Sequence, residues 1–197
     1  MDPSSLEIIH YPHPTLRHKS KPIMRVDDQL RAVIKQMFPL MYEARGIGLA
    51  ANQIDLPLRV FVLNLAADPE EGEEHVFINP VVSRPKGSDE KEEGCLSMPG
   101  VNGHVKRPET VRVEAYNLQG QLFEADLDGL FARAVQHELD HLDGVLFTDK
   151  LSETGKIAVR PELEELEIVF GNKRDTGELP DDSTIAARLQ QIESQYA

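Results

Sequence analysis

The chain of 197 residues holds a single cysteine, Cys95. One thiol excludes an internal disulfide, so the fold must hold without one and the composition fits a reducing cytoplasm. Long apolar runs are also missing: no window reaches the ~18 consecutive apolar residues of a membrane-spanning helix. The opening "MDPSSLEIIHYPHPTL" has neither a basic stretch nor an apolar core, so no secretion signal is expected and a cytoplasmic location is. Basic residues are scarce, 21 Lys and Arg against 34 Asp and Glu. A net charge of −13 argues against DNA or RNA as a partner, because phosphate binding rests on Lys and Arg. Internal repeats and Ser/Gly/Pro-rich linkers are absent too, which leaves one domain or one domain with a tail.

What is present divides into helical and strand-like segments. "DDQLRAVIKQMFPLMYEARG" predicts a helix, capped by Asp27 or Asp28, with Leu30, Val33, Ile34, Met37 and Met41 at helical spacing, Pro39 as a kink point and Gly46 as its stop. "LRVFVLNL" (58–65) and "HVFINPVVS" (75–83) are rich in Val, Ile and Phe and predict strands separated by an acidic loop. "TVRVEAYNLQGQLFEADL" alternates and turns at Gln119-Gly120, which predicts a β-hairpin. A further helix is predicted over 128–142, capped by Asp126 or Asp128 and ended by Asp143-Gly144. "PELEELEIVFG" is compatible with a helix or a strand, and "STIAARLQQIESQY" is a weak amphipathic helix in a polar tail. Hairpin strands with separate helices predict an α+β fold.

The helix over 128–142 carries "VQHELDHLDG", two histidines four residues apart with a glutamate after the first. On a helical wheel Leu127, Leu130, Phe131, Ala134, Val135 and Leu142 share an apolar arc, with Glu138 near its centre, His141 inside it and His137 at its edge. Arg133, Gln136 and Asp140 fall on the opposite, outward side. An unpaired carboxylate in a core costs several kcal/mol, so it is normally paired, protonated or set beside a metal. Hydrogen-bonded core histidines with Glu138 in an ion pair are the plain alternative. The i, i+4 spacing favours a metal site, because both imidazoles reach one point about a helical turn long.

Catalytic sites of this kind usually take three protein ligands and a water. No histidine follows His141, and the downstream carboxylates Asp149, Glu153 and those of "PELEELE" form no ligand pattern. Upstream, Cys95 lies in "EEGCLSMPG", a glycine-flanked, bent stretch. Its thiolate is open to three readings: a third metal ligand, a nucleophile with a histidine base, or an inert thiol. "GIGLAANQ" (46–53) follows no strand and has no lysine, so it is not a phosphate loop.

Taken in order, "GIGLAANQ", "EGCLS" and "QHELDHLDG" resemble the three motifs of the peptide deformylases. The likeness extends through "FINPVV", "VKRPETVRV" and "GVLFTDKL", over roughly residues 6–170. It implies antiparallel sheets packed around a central metal-binding helix, with an N-terminal helix. Residues 1–170 would form the catalytic domain and 171–197 a variable C-terminal tail. The implied reaction is metal-dependent hydrolysis of the formyl group from N-formylmethionyl peptides of newly made proteins, releasing formate. Alternatives from other classes are a zincin-like metallopeptidase and a non-catalytic metal-binding relative.

Residue by residue, the resemblance implies that Cys95, His137 and His141 bind the metal, with water at the fourth position. Glu138 is implied as general base and then acid, and the Gln53 amide and Leu96 backbone N–H as oxyanion donors. Ile47, Gly48 and Gly94 would lie along the peptide substrate like an added strand. Ile47, Leu130 and the His137 ring would line the methionine pocket, and Glu93 with Arg107 would fix the Cys95 loop. The implied cofactor is one divalent ion, Fe2+ in the cell, with Zn2+, Ni2+ or Co2+ able to substitute. Nascent peptides are the implied partner, with a transient ribosome encounter. Where some members carry an apolar residue and a substrate-contacting arginine, this chain has Lys91 and Asn102.

Overall fold

The computed structural model describes residues 5–197. In chain order its elements are α1 (Asp28–Glu43), β1 (Gly48–Ala50), β2 (Val60–Leu63), β3 (His75–Lys86), β4 (Asp89–Cys95), β5 (Met98–Arg107), β6 (Thr110–Tyr116), β7 (Leu122–Asp128), α2 (Gly129–Leu142), α3 (Glu153–Ala158), α4 (Arg160–Asp175) and α5 (Asp182–Tyr196). Antiparallel strands with separate helices make it an α+β fold.

Asp27 caps α1 by accepting the Leu30 N–H at 2.9 Å, and the five apolar residues picked out by spacing are all buried. Pro39 sits inside the helix on its exposed side. The helix ends earlier than the glycine predicted: Arg45, not Gly46, takes the left-handed conformation at φ 57°. Gly46 follows and donates its N–H back to the Met41 carbonyl.

The main sheet is antiparallel in the order β1-β2-β3-β6-β7. β2 shows why "VFVL" reads as a continuous apolar run rather than an alternating one. Val60 and Val62 pack with Leu30, Ile34 and Met37 of α1, whereas Phe61 and Leu63 pack with Ala134 and Val135 of α2. Side chains alternate across a strand, so a strand between two helices is apolar on both faces. The β6–β7 turn forms where Gln119-Gly120 predicted it, with Asn117 Oδ1 accepting the N–H groups of Gln119 and Gln121 and Gly120 at φ 74°.

β4 and β5 form a separate two-stranded ribbon that the sequence did not announce. "DEKEEGC" shows no apolar alternation, because most of that strand is exposed. Met98, Val101 and Val105 of β5 hold the ribbon against Leu16, Leu146, Phe147 and Leu151. Cys95 pairs with Met98 at the tight end of the ribbon, next to a register shift after Gly94.

"PELEELEIVFG" is helical and belongs to α4, which continues through residues 170 and 171. Beyond it α5 lays Ile192 and Tyr196 into the same apolar cluster as α1 and β2. No helix among the described residues is long and apolar enough to cross a membrane.

Candidate active site

α2 presents Glu138 and His141 to the interior, both buried, with His137 partly covered. One ligand atom from each of Cys95, His137 and His141 lies within 4.8 Å of the others. The Cys95 Sγ stands 3.2 Å from His141 Nε2. The ribbon turn thus carries the thiol to the helix from some forty residues upstream. A soft thiolate with two imidazoles suits zinc or ferrous iron, and three ligands leave a position for a reacting group. The donor set therefore fits a divalent metal ion.

Behind the histidine lies a buried charge network. Glu93 accepts from His137 Nδ1 at 3.1 Å, which leaves Nε2 as the nitrogen free to face the Cys95 side. Arg107 holds both Glu93 oxygens, through Nε at 2.6 Å and Nη2 at 2.8 Å, and reaches Asp140 at 2.7 Å with Nη1. Burial pushes the Glu93 carboxyl up, but the hydrogen bonds from Arg107 and His137 outweigh it and hold it well below the usual carboxylate range. Burial likewise opposes the His137 imidazolium, and Cys95 and Glu93 override it, raising the ring to about 10. His141, buried and beside His137, is held well below its ordinary value.

Arg133 corrects the helical-wheel reading. Placed on the outward face by its position on the wheel, it is buried and donates to Glu93 Oε1 at 2.6 Å and to the Val105 and Asp89 carbonyls at 2.9 and 2.8 Å. β4 and β5 cover that side of α2, so a cation there meets a carboxylate and two carbonyls rather than water. The only signal in sequence was its spacing, one turn before His137. Leu130 departs in the other direction: counted in the apolar arc, it is 53% exposed, at the rim of a pocket.

Glu138 is the carboxylate beside the ligand group. Burial raises its pKa to about 7, and the His137 and Arg107 charges only partly oppose this. Its Oε2 is buried with no hydrogen-bond partner among the described residues. Gly48 gives it room: a Cβ there would lie 2.4 Å from Glu138 Oε1 and 2.6 Å from Leu63 Cδ2. Gln53, in a short helical turn after β1, places its Nε2 3.4 Å from Cys95 Sγ.

These groups line one pocket of about 390 Å³, shared by Ile47, Gly48, Gln53, Gly94, Leu96, Leu130, His137 and Glu138. Gly48 of β1 and Glu92, Glu93, Gly94 and Cys95 of β4 line it together with residues of α2. Among the described residues β1 is the outer strand of the main sheet, and β4 pairs only with β5. Unpaired edges of this kind can take an extended peptide as an added strand.

An α+β fold that sets a thiol, two imidazoles and a partnerless buried carboxylate around one cleft defines a metal-dependent hydrolase. The chain belongs to the polypeptide deformylase family, whose model matches residues 5–156. It is similar to the peptide deformylase of Rhodopirellula baltica, 50% identical over 191 residues, or 97% of this chain and 95% of that protein. Among solved structures it resembles a plant peptide deformylase, with a TM-score of 0.84 and 40% identity over 91% of this chain and 96% of that one. The Plasmodium falciparum peptide deformylase is similar at a TM-score of 0.81 and 39% identity, over 84% of this chain and 98% of that one.

Proposed function

We propose that this chain removes the formyl group from N-formylmethionyl peptides of newly made proteins, with the residue roles set out here. The observation that carries it is Glu138, a buried carboxylate with a partnerless oxygen, beside the Cys95–His137–His141 group in a cleft lined by residues of β1, β4 and α2. Those three residues hold one divalent ion, Fe2+ in the cell and Zn2+, Ni2+ or Co2+ as substitutes. When bound, the ion lowers the pKa of a water from about 15.7 towards 7 and polarises the carbonyl.

The chain's own groups do the rest. Glu138 takes a proton from the water as its oxygen bonds to the formyl carbon. The Gln53 Nε2–H and Leu96 backbone N–H stabilise the oxyanion, each donor worth about 2.7–4 kcal/mol in comparable sites. The C–N bond then breaks, Glu138 delivers its proton to the nitrogen, and formate leaves a free α-amine. A pKa near 7 suits a group that must both take and give a proton. Ile47, Gly48 and Gly94 align the peptide, the methionine enters between Ile47, Leu130 and the His137 ring, and Glu93 with Arg107 steadies the site. Selectivity for formyl over acetyl is steric in this reading, because the extra methyl would have to fit beside the attacked carbonyl. The enzyme works in the cytoplasm, where nascent chains bring it into transient contact with the ribosome.

Formate release from formyl-Met-Ala-Ser by reduced, ferrous-loaded protein tests the activity; no release rejects it. Glu138→Ala tests the role. It should keep its metal and lose about 10² or more in kcat.

A further inference from the structure

We infer that Ser97 is a positioning residue, whose buried hydroxyl holds the Gln53 side-chain amide with its nitrogen toward the reacting carbonyl. The inference rests on the reading of Gln53 as an oxyanion donor.

The two ends of a glutamine amide are nearly alike in shape and opposite in hydrogen bonding, and only the nitrogen end can donate to an oxyanion. In this structure the backbone fixes which end is which. Gln53 Oε1 accepts the backbone N–H of Ala50 at 2.8 Å. A backbone N–H can only donate, so the amide atom facing it must be the oxygen. The nitrogen then faces Ser97 Oγ at 3.3 Å and Cys95 Sγ at 3.4 Å, one contact for each of its two hydrogens.

Those two acceptors are not equivalent. Sulfur is a weak acceptor, and a developing oxyanion is a far stronger one. The hydrogen on the sulfur side is therefore the one free to turn to the substrate, while the hydroxyl keeps the other and with it the plane of the amide. Ser97 is fully buried, so water cannot replace the hydroxyl. The backbone fixes the spacing as well. Ile9 donates to the Gln53 carbonyl at 2.8 Å and Tyr11 to the Ser97 carbonyl at 2.9 Å, so residues 9–11 strap the two segments together.

A double-mutant cycle with formyl-Met-Ala-Ser as substrate tests this, with bound metal measured throughout. Ser97→Ala should lower kcat about tenfold at nearly unchanged KM and metal content, and the same change should cost less than about twofold when Gln53 is already alanine. A full tenfold loss in both backgrounds, or a wild-type kcat for Ser97→Ala, overturns the inference and leaves the role of Gln53 standing. A fully active Gln53→Ala sinks the oxyanion reading itself and takes the inference with it. A second measurement needs no variant. In the zinc-loaded protein the Gln53 side-chain N–H signals should be distinct and protected from exchange; a freely rotating, fast-exchanging amide overturns the proposal.

Discussion

Glu138 concentrates the residue-scale chemistry, because the burial that raises its pKa to about 7 also makes it a burden on the fold. Between pH 4.5, its ordinary value, and about 7, the folded chain keeps a proton that the unfolded chain has lost. Stability from this group is therefore full below 4.5 and falls as pH rises through 7. His141 works in the opposite sense: with its pKa lowered, stability rises with pH up to its ordinary value of 6.5 and is level above it. Comparing metal-free wild type with Glu138→Gln separates the two. The stability difference, wild type minus variant, should decline from pH 4.5 to 7 and then level off; a flat difference in thermal or urea unfolding rejects a buried, protonated Glu138. The residues of this cluster were legible because four positions make one helical turn. Arg133 was not, because a wheel gives only angular position and cannot show that Glu93, from a strand forty residues earlier, covers the outward face.

At the scale of elements, the site depends on how closely the edge strand β1 can approach α2. Gly48 is the point of closest approach, where a methyl group would collide with the Glu138 carboxylate and with Leu63. Gly48→Ala should displace the carboxylate, lowering kcat about tenfold or more, and cost about 1–3 kcal/mol of stability through overpacking. Metal content should hold, since Cys95, His137 and His141 are not touched. Gly171 supplies the contrast: it lies in α4 at negative φ, with open space where a Cβ would sit. Gly171→Ala should raise stability by about 0.4–1 kcal/mol and leave the rate alone. Equal rates for the two variants would remove close packing of β1 on Glu138 from the mechanism. The sequence displayed elements wherever burial left a period. β4 has almost none to display, because its exposed residues are charged on both faces, and its pairing with β5 is visible only in three dimensions.

For the whole molecule, α5 ties the end of the chain to its beginning. Ile185, Leu189, Ile192 and Tyr196 recur at helical spacing and are all buried, which "STIAARLQQIESQY" announced as a weak amphipathic helix. What that face would meet could not be read, since residues 13–27 carry no periodic signal. There Glu193 accepts from Lys21 at 2.8 Å and contacts His18 at 2.8 Å, and the Tyr196 hydroxyl reaches Asp27, the cap of α1, at 3.3 Å. Ile192 and Tyr196 share an apolar cluster with α1 and β2, so α5 should melt together with the rest rather than before it. Ile192→Ala removes a packed aliphatic side chain, at about 2–5 kcal/mol. For a chain of this size each kcal/mol moves the midpoint by about 2–4 °C, so calorimetry should find a single transition lowered by roughly 5–15 °C. Because α5 contributes nothing to the wall of the catalytic pocket, kcat at 25 °C should match wild type. An unchanged midpoint would mean that the helix only rests on the surface. Two separate transitions would mean instead that the last helix folds as a unit of its own, and that the cluster joining it to α1 does not bind the two ends of the chain into one cooperative structure.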